Sequence, residues 1–179
     1  KKYFISNFFM TNQFSRFILS YSLLFCLSLF NDSLLAQQII YTNGNNNWNS
    51  DSLGNHRAVI QFTGKGNIAK AIIDWRRRDY HPEQKRIIVQ DVKTGKKILN
   101  VESSDINREK VTIVFEPISG PGLYYVYYLP YIYEGPNTYY PKGNYRKPEN
   151  TADEKWLASI HSKINSPANC TVKEIQSIN

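Results

Sequence analysis

Apolar and polar residues alternate along much of the chain with a period of two, the spacing that turns one face of a strand inward and the other outward. In residues 56–63, Ala58, Ile60 and Phe62 alternate with Arg57, Val59 and Gln61. Gly64-Lys65-Gly66-Asn67 follows as a turn, and residues 68–75 resume the pattern with Ala69, Ala71, Ile73 and Trp75 on one face, so the two runs are expected to form a hairpin. Residues 86–92 place Ile87, Val89 and Asp91 opposite Ile88 and Val92, and a Lys93-Thr94-Gly95-Lys96 turn leads to a short strand at 97–101. Residues 110–116 align Val111, Ile113 and Phe115. A connection rich in Pro and Gly at 117–122 precedes the longest strand candidate, residues 123–133, which sets Leu123, Tyr125, Tyr127, Leu129 and Tyr131 against Tyr124, Val126 and Tyr128. Short strands at this spacing predict a mainly β protein, an antiparallel β-sandwich.

The period changes after Pro148. Thr151-Ala152-Asp153-Glu154 has the form of a capping box, and Trp156, Leu157, Ile160 and Ile164 then fall on one helical stripe that Pro167 ends, which adds one C-terminal α-helix to the sandwich. Residues 171–175 have strand character. At the other end, residues 17–30 form an apolar run preceded by Arg16 and followed by a polar stretch ending at Ala36. That run is shorter than the roughly 20 residues a spanning helix needs, and its order of charge, apolar core and small residue is that of a signal peptide cleaved after Ala36. Met10 is a sufficient start for it, and Phe25 before Cys26 argues against a lipid anchor. The expected organisation is a signal peptide at 1–36, an Asn-rich exposed lead-in at 37–55 anchored by Trp48, a β-sandwich at 56–147, and at 148–179 a helix with the start of a linker to a missing downstream domain. The protein is expected to be exported, to the periplasm, cell surface or exterior, with no stable membrane span after cleavage.

Composition narrows the chemistry. The chain of 179 residues carries a net charge of +7. Losing Lys1, Lys2, Arg16 and Asp32 with the signal peptide leaves +5, a value that serves solubility more than nucleic-acid binding. With Cys26 in the leader, Cys170 has no intramolecular partner in the mature domain. His56, His81 and His161 lack metal-ligand spacing, Gly64-Lys65-Gly66 is too short for a phosphate loop, and Ser119 is not in a nucleophile elbow, so neither a metal nor any other cofactor is expected. Asp153-Glu154 is the one adjacent carboxylate pair and is read as a helix start, where negative charge complements the macrodipole. Asp105 and Glu109 flank Arg108 as a loop ion pair. Two features stay open. Trp75-Arg76-Arg77-Arg78 offers aromatic surface and guanidinium donors to phosphate, an anionic sugar or nucleic acid, yet Asp74, Asp79 and Glu83 lie close enough to neutralise it in an internal network. Nine of the 13 tyrosines fall between Tyr124 and Tyr145, suiting either a half-buried strand or a contact surface. The candidate ligand or interdomain contacts are Trp75, Arg76, Arg78, Tyr125, Tyr127 and Tyr131.

Five segments in order carry a resemblance: Asp51-Ser52-Leu53-Gly54-Asn55-His56-Arg57-Ala58; Trp75-Arg76-Arg77-Arg78-Asp79 with Pro82; Asp105-Ile106-Asn107-Arg108-Glu109; PISGPGLYYVYY at 117–128; and Thr151-Ala152-Asp153 with Trp156-Leu157. Together they resemble the N-terminal domain of secreted bacterial glycoside hydrolases of family 123, over roughly residues 48–175. The resemblance implies a non-catalytic β-sandwich set ahead of a (β/α) barrel that hydrolyses N-acetyl-hexosaminides, β-N-acetylgalactosaminides among them, with help from the substrate's own acetamido group. The catalytic Asp-Glu pair of that family belongs to the barrel, and Asp153-Glu154 does not match it. The implied partners are the downstream barrel, in the same or a neighbouring chain, and glycans. The alternative is a stand-alone carbohydrate-binding module, which requires exposed, coplanar rings in the stretch 124–145.

Overall fold

The computed structural model describes residues 39–44, 48–128, 130–134, 142–161 and 163–178. Ten strands and two short α-helices lie among them: β1 (Ile40–Asn43), α1 (Ser50–Leu53), β2 (His56–Phe62), β3 (Ala69–Asp74), β4 (Ile87–Asp91), β5 (Val101–Ser104), β6 (Lys110–Phe115), β7 (Gly122–Tyr128), β8 (Tyr131–Glu134), β9 (Lys142–Tyr145), α2 (Glu154–Ile160) and β10 (Cys170–Ser177), with a 3-10 turn at Pro82–Gln84. A five-stranded sheet has the order β1-β10-β2-β7-β4, a three-stranded sheet the order β3-β6-β5, and β8-β9 form a separate ribbon. All pairings are antiparallel except β1 with β10. The fold is thus the expected antiparallel-dominated sandwich, mainly β, with α2 near the C-terminus.

The alternating residues make the core. Ala58, Ile60 and Phe62 of β2, Tyr124, Val126 and Tyr128 of β7, and Val172 and Ile175 of β10 join Ala69, Ala71 and Ile73 of β3 and Val111, Ile113 and Phe115 of β6 in one buried cluster. Rings bridge the two sheets. Phe115 lies 4.9 Å from Tyr124 between centroids, and Trp75 lies 5.1 Å from Tyr128. Each large side chain fully withdrawn from water contributes about 1.5–3 kcal/mol before entropy is counted. A second, smaller cluster sits on the outer face of the three-stranded sheet, where Trp156 and Ile160 of α2 pack on Val114.

Several elements depart from the expectations. β2 and β3 are not a hairpin: β2 pairs with β10 and β7, whereas β3 pairs with β6, so the turn after Phe62 passes between sheets. Alternation sets the inward face of a strand but not its neighbour, and both inward faces here meet across the core. The long strand at 123–133 breaks after Tyr128, where Pro130 has no N–H to give a ladder, and β8 enters the separate ribbon. The strand at 97–101 reduces to a single bridge from Lys97 to Gln90, and β5 begins at Val101. Between them Asn100 turns its side chain to Glu116 Oε2 at 2.5 Å and accepts from Asp153 N at 2.8 Å.

Both ends of the domain reach further into the sheet than the sequence suggested. β10, placed with the helix and linker at 148–179, is an interior strand between β1 and β2, and β1 lies within the stretch read as an exposed lead-in. Trp48 closes that lead-in by donating to Gly54 O at 2.7 Å, and a Cβ at Gly44 would collide with the Trp48 ring, which explains the glycine. The capping box is also different. Asp153, not Thr151, caps α2 by accepting from Trp156 N at 3.0 Å, and the Thr151 hydroxyl donates to Leu99 O. Among the described residues no helix is long and apolar enough to cross a membrane. The expected signal peptide lies outside the described residues.

Candidate functional site

One end of the sandwich gathers the start of β2, β4 and β6 and the finish of β3, β7 and β10, and the loops there carry the unusual backbone. Arg76 (φ 48°), His81 (φ 55°) and Asp105 (φ 50°) are the non-glycine residues of positive φ among those described, and all three lie in the loops after β3 and β5. Such conformations cost about 1–3 kcal/mol each and persist where surrounding contacts impose them. Here the contacts are backbone bonds from Arg76 N to Glu109 O and from Arg77 N to Arg108 O, which tie one loop to the other.

The three arginines keep the strand's alternation, so Arg77 turns in while Arg76 and Arg78 stay exposed. The Arg77 guanidinium lies 4.5 Å from the Trp75 ring centroid and donates from Nε and Nη2 to the two Asp79 oxygens, each at 2.7 Å. Lys85 Nζ adds a contact to Asp79 Oδ2 at 2.5 Å and donates to Tyr80 O at 2.9 Å. Burial alone would raise the Asp79 carboxyl, but the hydrogen bonds and charges of Arg77 and Lys85 outweigh it and hold the pKa below the ordinary carboxylate value. Of the three arginines Arg77 thus enters an internal ion network around one carboxylate, with Lys85 as its other cation. Arg108, read as paired with Asp105 and Glu109, instead donates to Arg78 O at 3.3 Å.

The proposed contact residues do not form one surface. Trp75 is 3% exposed, with its indole N–H bonded to Asn107 O, and Tyr127 is 1% exposed, its hydroxyl donating to Gln90 Oε1 at 3.0 Å. Both belong to packed layers. Tyr125 is half-buried beneath the Arg57 guanidinium, 3.8 Å from its ring centroid, with Trp48 4.1 Å from the same group. Tyr124 and Tyr128 are buried in the core, so β7 presents no row of coplanar exposed rings. The side chain of Tyr131 lies outside the described residues. Arg76 and Arg78 remain on the surface of the loop end.

Two concavities open there. One, of about 290 Å³, is lined by Tyr41, Thr42, His56, Trp75, Arg76 and Tyr128 among others. Burial and the nearby Arg77 charge lower the His56 pKa, so its imidazole is neutral near pH 7. The other, of about 500 Å³, runs between Tyr80 and Tyr145, with Lys85, Gln84, Glu83 and Lys147 along it. Tyr145 ends the tyrosine-rich stretch that the sequence offered as a contact surface, whereas Tyr80 was not among the candidate contacts. The two stand far apart in the chain and share no motif; an aromatic in a charged loop is the only signal Tyr80 gave. Asp153, the nearest approach to a carboxylate pair, caps α2, and among the described residues no three metal-ligating groups come together.

The sequence model for the glycoside hydrolase 123 N-terminal domain matches residues 46–178, nearly the whole of the described sandwich. No curated protein and no solved structure matches the chain. The matched span begins before Trp48 and runs through β10, so it takes in the three-stranded sheet, every strand of the five-stranded sheet but β1, α2 and the strained loop end: the chain belongs to the family of glycoside hydrolase 123 N-terminal domains.

Proposed function

We propose that this protein is the non-catalytic β-sandwich module of an exported glycoside hydrolase that acts on N-acetyl-hexosaminides, working against a catalytic barrel in the same or a neighbouring chain. The family match over residues 46–178 carries this reading, because it is to a domain defined by its place ahead of the rest of a hydrolase. The use of the carboxylates supports it. Asp79 is held between Arg77 and Lys85, and Asp153 caps a helix, so each already has a structural partner. A leader at residues 1–36 accounts for export. Incubating the chain with an aryl N-acetylgalactosaminide tests the reading: no turnover is expected from the chain alone, and sustained hydrolysis that scales with its concentration overturns it. A second reading, an independent glycan-binding module, is favoured by one observation, the exposed tyrosines of the larger groove.

A further inference from the structure

Tyr80 is 78% exposed and Tyr145 41% exposed, and the two flank the groove of about 500 Å³. Ring surface left in water contributes nothing to the core and stays open to a ligand. Each ring nevertheless has a cation set against it. The Arg108 guanidinium lies 5.6 Å from the Tyr80 centroid, and Lys85 Nζ lies 4.2 Å from the Tyr145 centroid. Both cations are held from elsewhere, Arg108 by Arg78 O and Lys85 by Asp79 and Tyr80 O. The rings are thereby ordered without being buried, which lowers the entropy lost when a ligand settles on them.

The walls are tied as well. His81 in the left-handed region starts a tight turn closed by Gln84 N to His81 O at 3.1 Å and Lys85 N to Pro82 O at 3.2 Å. Across the groove, Arg86 joins this wall to the segment after β9 through Arg86 N to Arg146 O at 2.8 Å and Arg86 Nε to Lys147 O at 2.9 Å. The groove is also lined by a carboxylate (Glu83, 3.1 Å from His81 Nδ1), an amide (Gln84) and an ammonium (Lys147). Apolar ring faces alternating with donors and acceptors match a pyranose, which has a C–H face and a rim of hydroxyls. A polyanion fits poorly, because Lys85 is already paired with Asp79 and Glu83 adds negative charge to the wall.

We propose that the groove between Tyr80 and Tyr145 is a saccharide-binding subsite, holding one sugar ring with its C–H face on tyrosine and its polar substituents on Glu83, Gln84 and Lys147. The choice of an N-acetyl-hexosamine as that sugar rests on the hydrolase reading above; the subsite itself rests on the groove. Amide spectra of the isotopically labelled chain titrated with chitotriose, N-acetylgalactosamine and maltotriose test both. Saturable shifts at Tyr80, Gln84 and Tyr145 with the acetamido sugars are expected, with affinity weakened roughly tenfold in Tyr80→Ala. Because Tyr80 is exposed, that variant should keep the wild-type Tm, and Tyr145→Ala provides a second, independent loss. Shifts with maltotriose alone would keep the subsite and overturn the hexosaminide reading. No saturable shift with any of the three, or shifts that survive both substitutions, would overturn the subsite while leaving the turnover test of the hydrolase reading untouched.

Discussion

Arg57 shows how far a single position can depart from its pattern. By alternation it faces away from Ala58, Ile60 and Phe62, the direction in which arginine ordinarily meets water. In the fold it is 5% exposed, stacked between Trp48 and Tyr125, and it donates to Gln176 Oε1 at 2.6 Å and to the Tyr127 hydroxyl at 3.1 Å. Its planar fork serves both rings and both acceptors at once. Arg57→Lys keeps the charge but loses the plate, and is expected to cost about 1–2 kcal/mol of stability, read from the urea midpoint. An unchanged midpoint would show that the stack contributes nothing. Nothing near Arg57 in the sequence announced this, because Trp48 reaches it from a segment with no apolar period. The same limit hid Tyr80 and its meeting with Tyr145 at one groove. Residues that meet only through tertiary folding leave no spacing to read, whereas the internal pairing of Arg77 with Asp79 was legible because the partners are two positions apart.

Among the elements, faces were legible and neighbours were not. The inward sets of β2, β3, β6 and β7 follow directly from alternation, since a one-residue error would expose all of them. The pairing of β2 depended in part on β10, whose mixed sequence shows strand character at 171–175 but little sign of an interior position. The helix stripe was also readable. Trp156 is 6% exposed against Val114, and its indole N–H is buried without a hydrogen-bond partner among the described residues. Trp156→Ala should cost about 3–5 kcal/mol by opening a cavity under α2. Trp156→Phe should cost far less, because it keeps most of the ring and removes the unmatched donor. Thermal melts of both variants check this, and equal losses would mean that ring volume is not what holds α2 to the sheet.

For the molecule as a whole, two titrating groups at the loop end make stability depend on pH in the same direction. His56 has its pKa lowered from 6.5, so the unfolded chain binds its proton first; this contribution is full above about pH 6.5 and is lost as pH falls toward the folded value. Asp79, lowered from 3.8, contributes stability above its unfolded value that is lost as pH falls through the folded one. Melts from pH 8 to pH 3 should therefore show Tm falling first below about 6.5 and again below about 4. His56→Gln should flatten the first fall and Asp79→Asn should reduce the second, which the buried Asp91 carboxyl, also lowered, shares; a His56→Gln profile parallel to wild type across the first window would refute the assignment. The placement of β10 also governs the order in which the domain can be completed. Until Cys170–Ser177 arrives, β2 has an unpaired edge and β1 has no neighbour, so the five-stranded sheet waits for nearly the last residues of the matched span. During synthesis or refolding the earlier strands must pass an interval with a bare apolar strand edge, open to pairing with other copies, and final closure brings together segments from opposite ends of the domain. Folding should accordingly be slow and late, with self-association competing most strongly just before that closure.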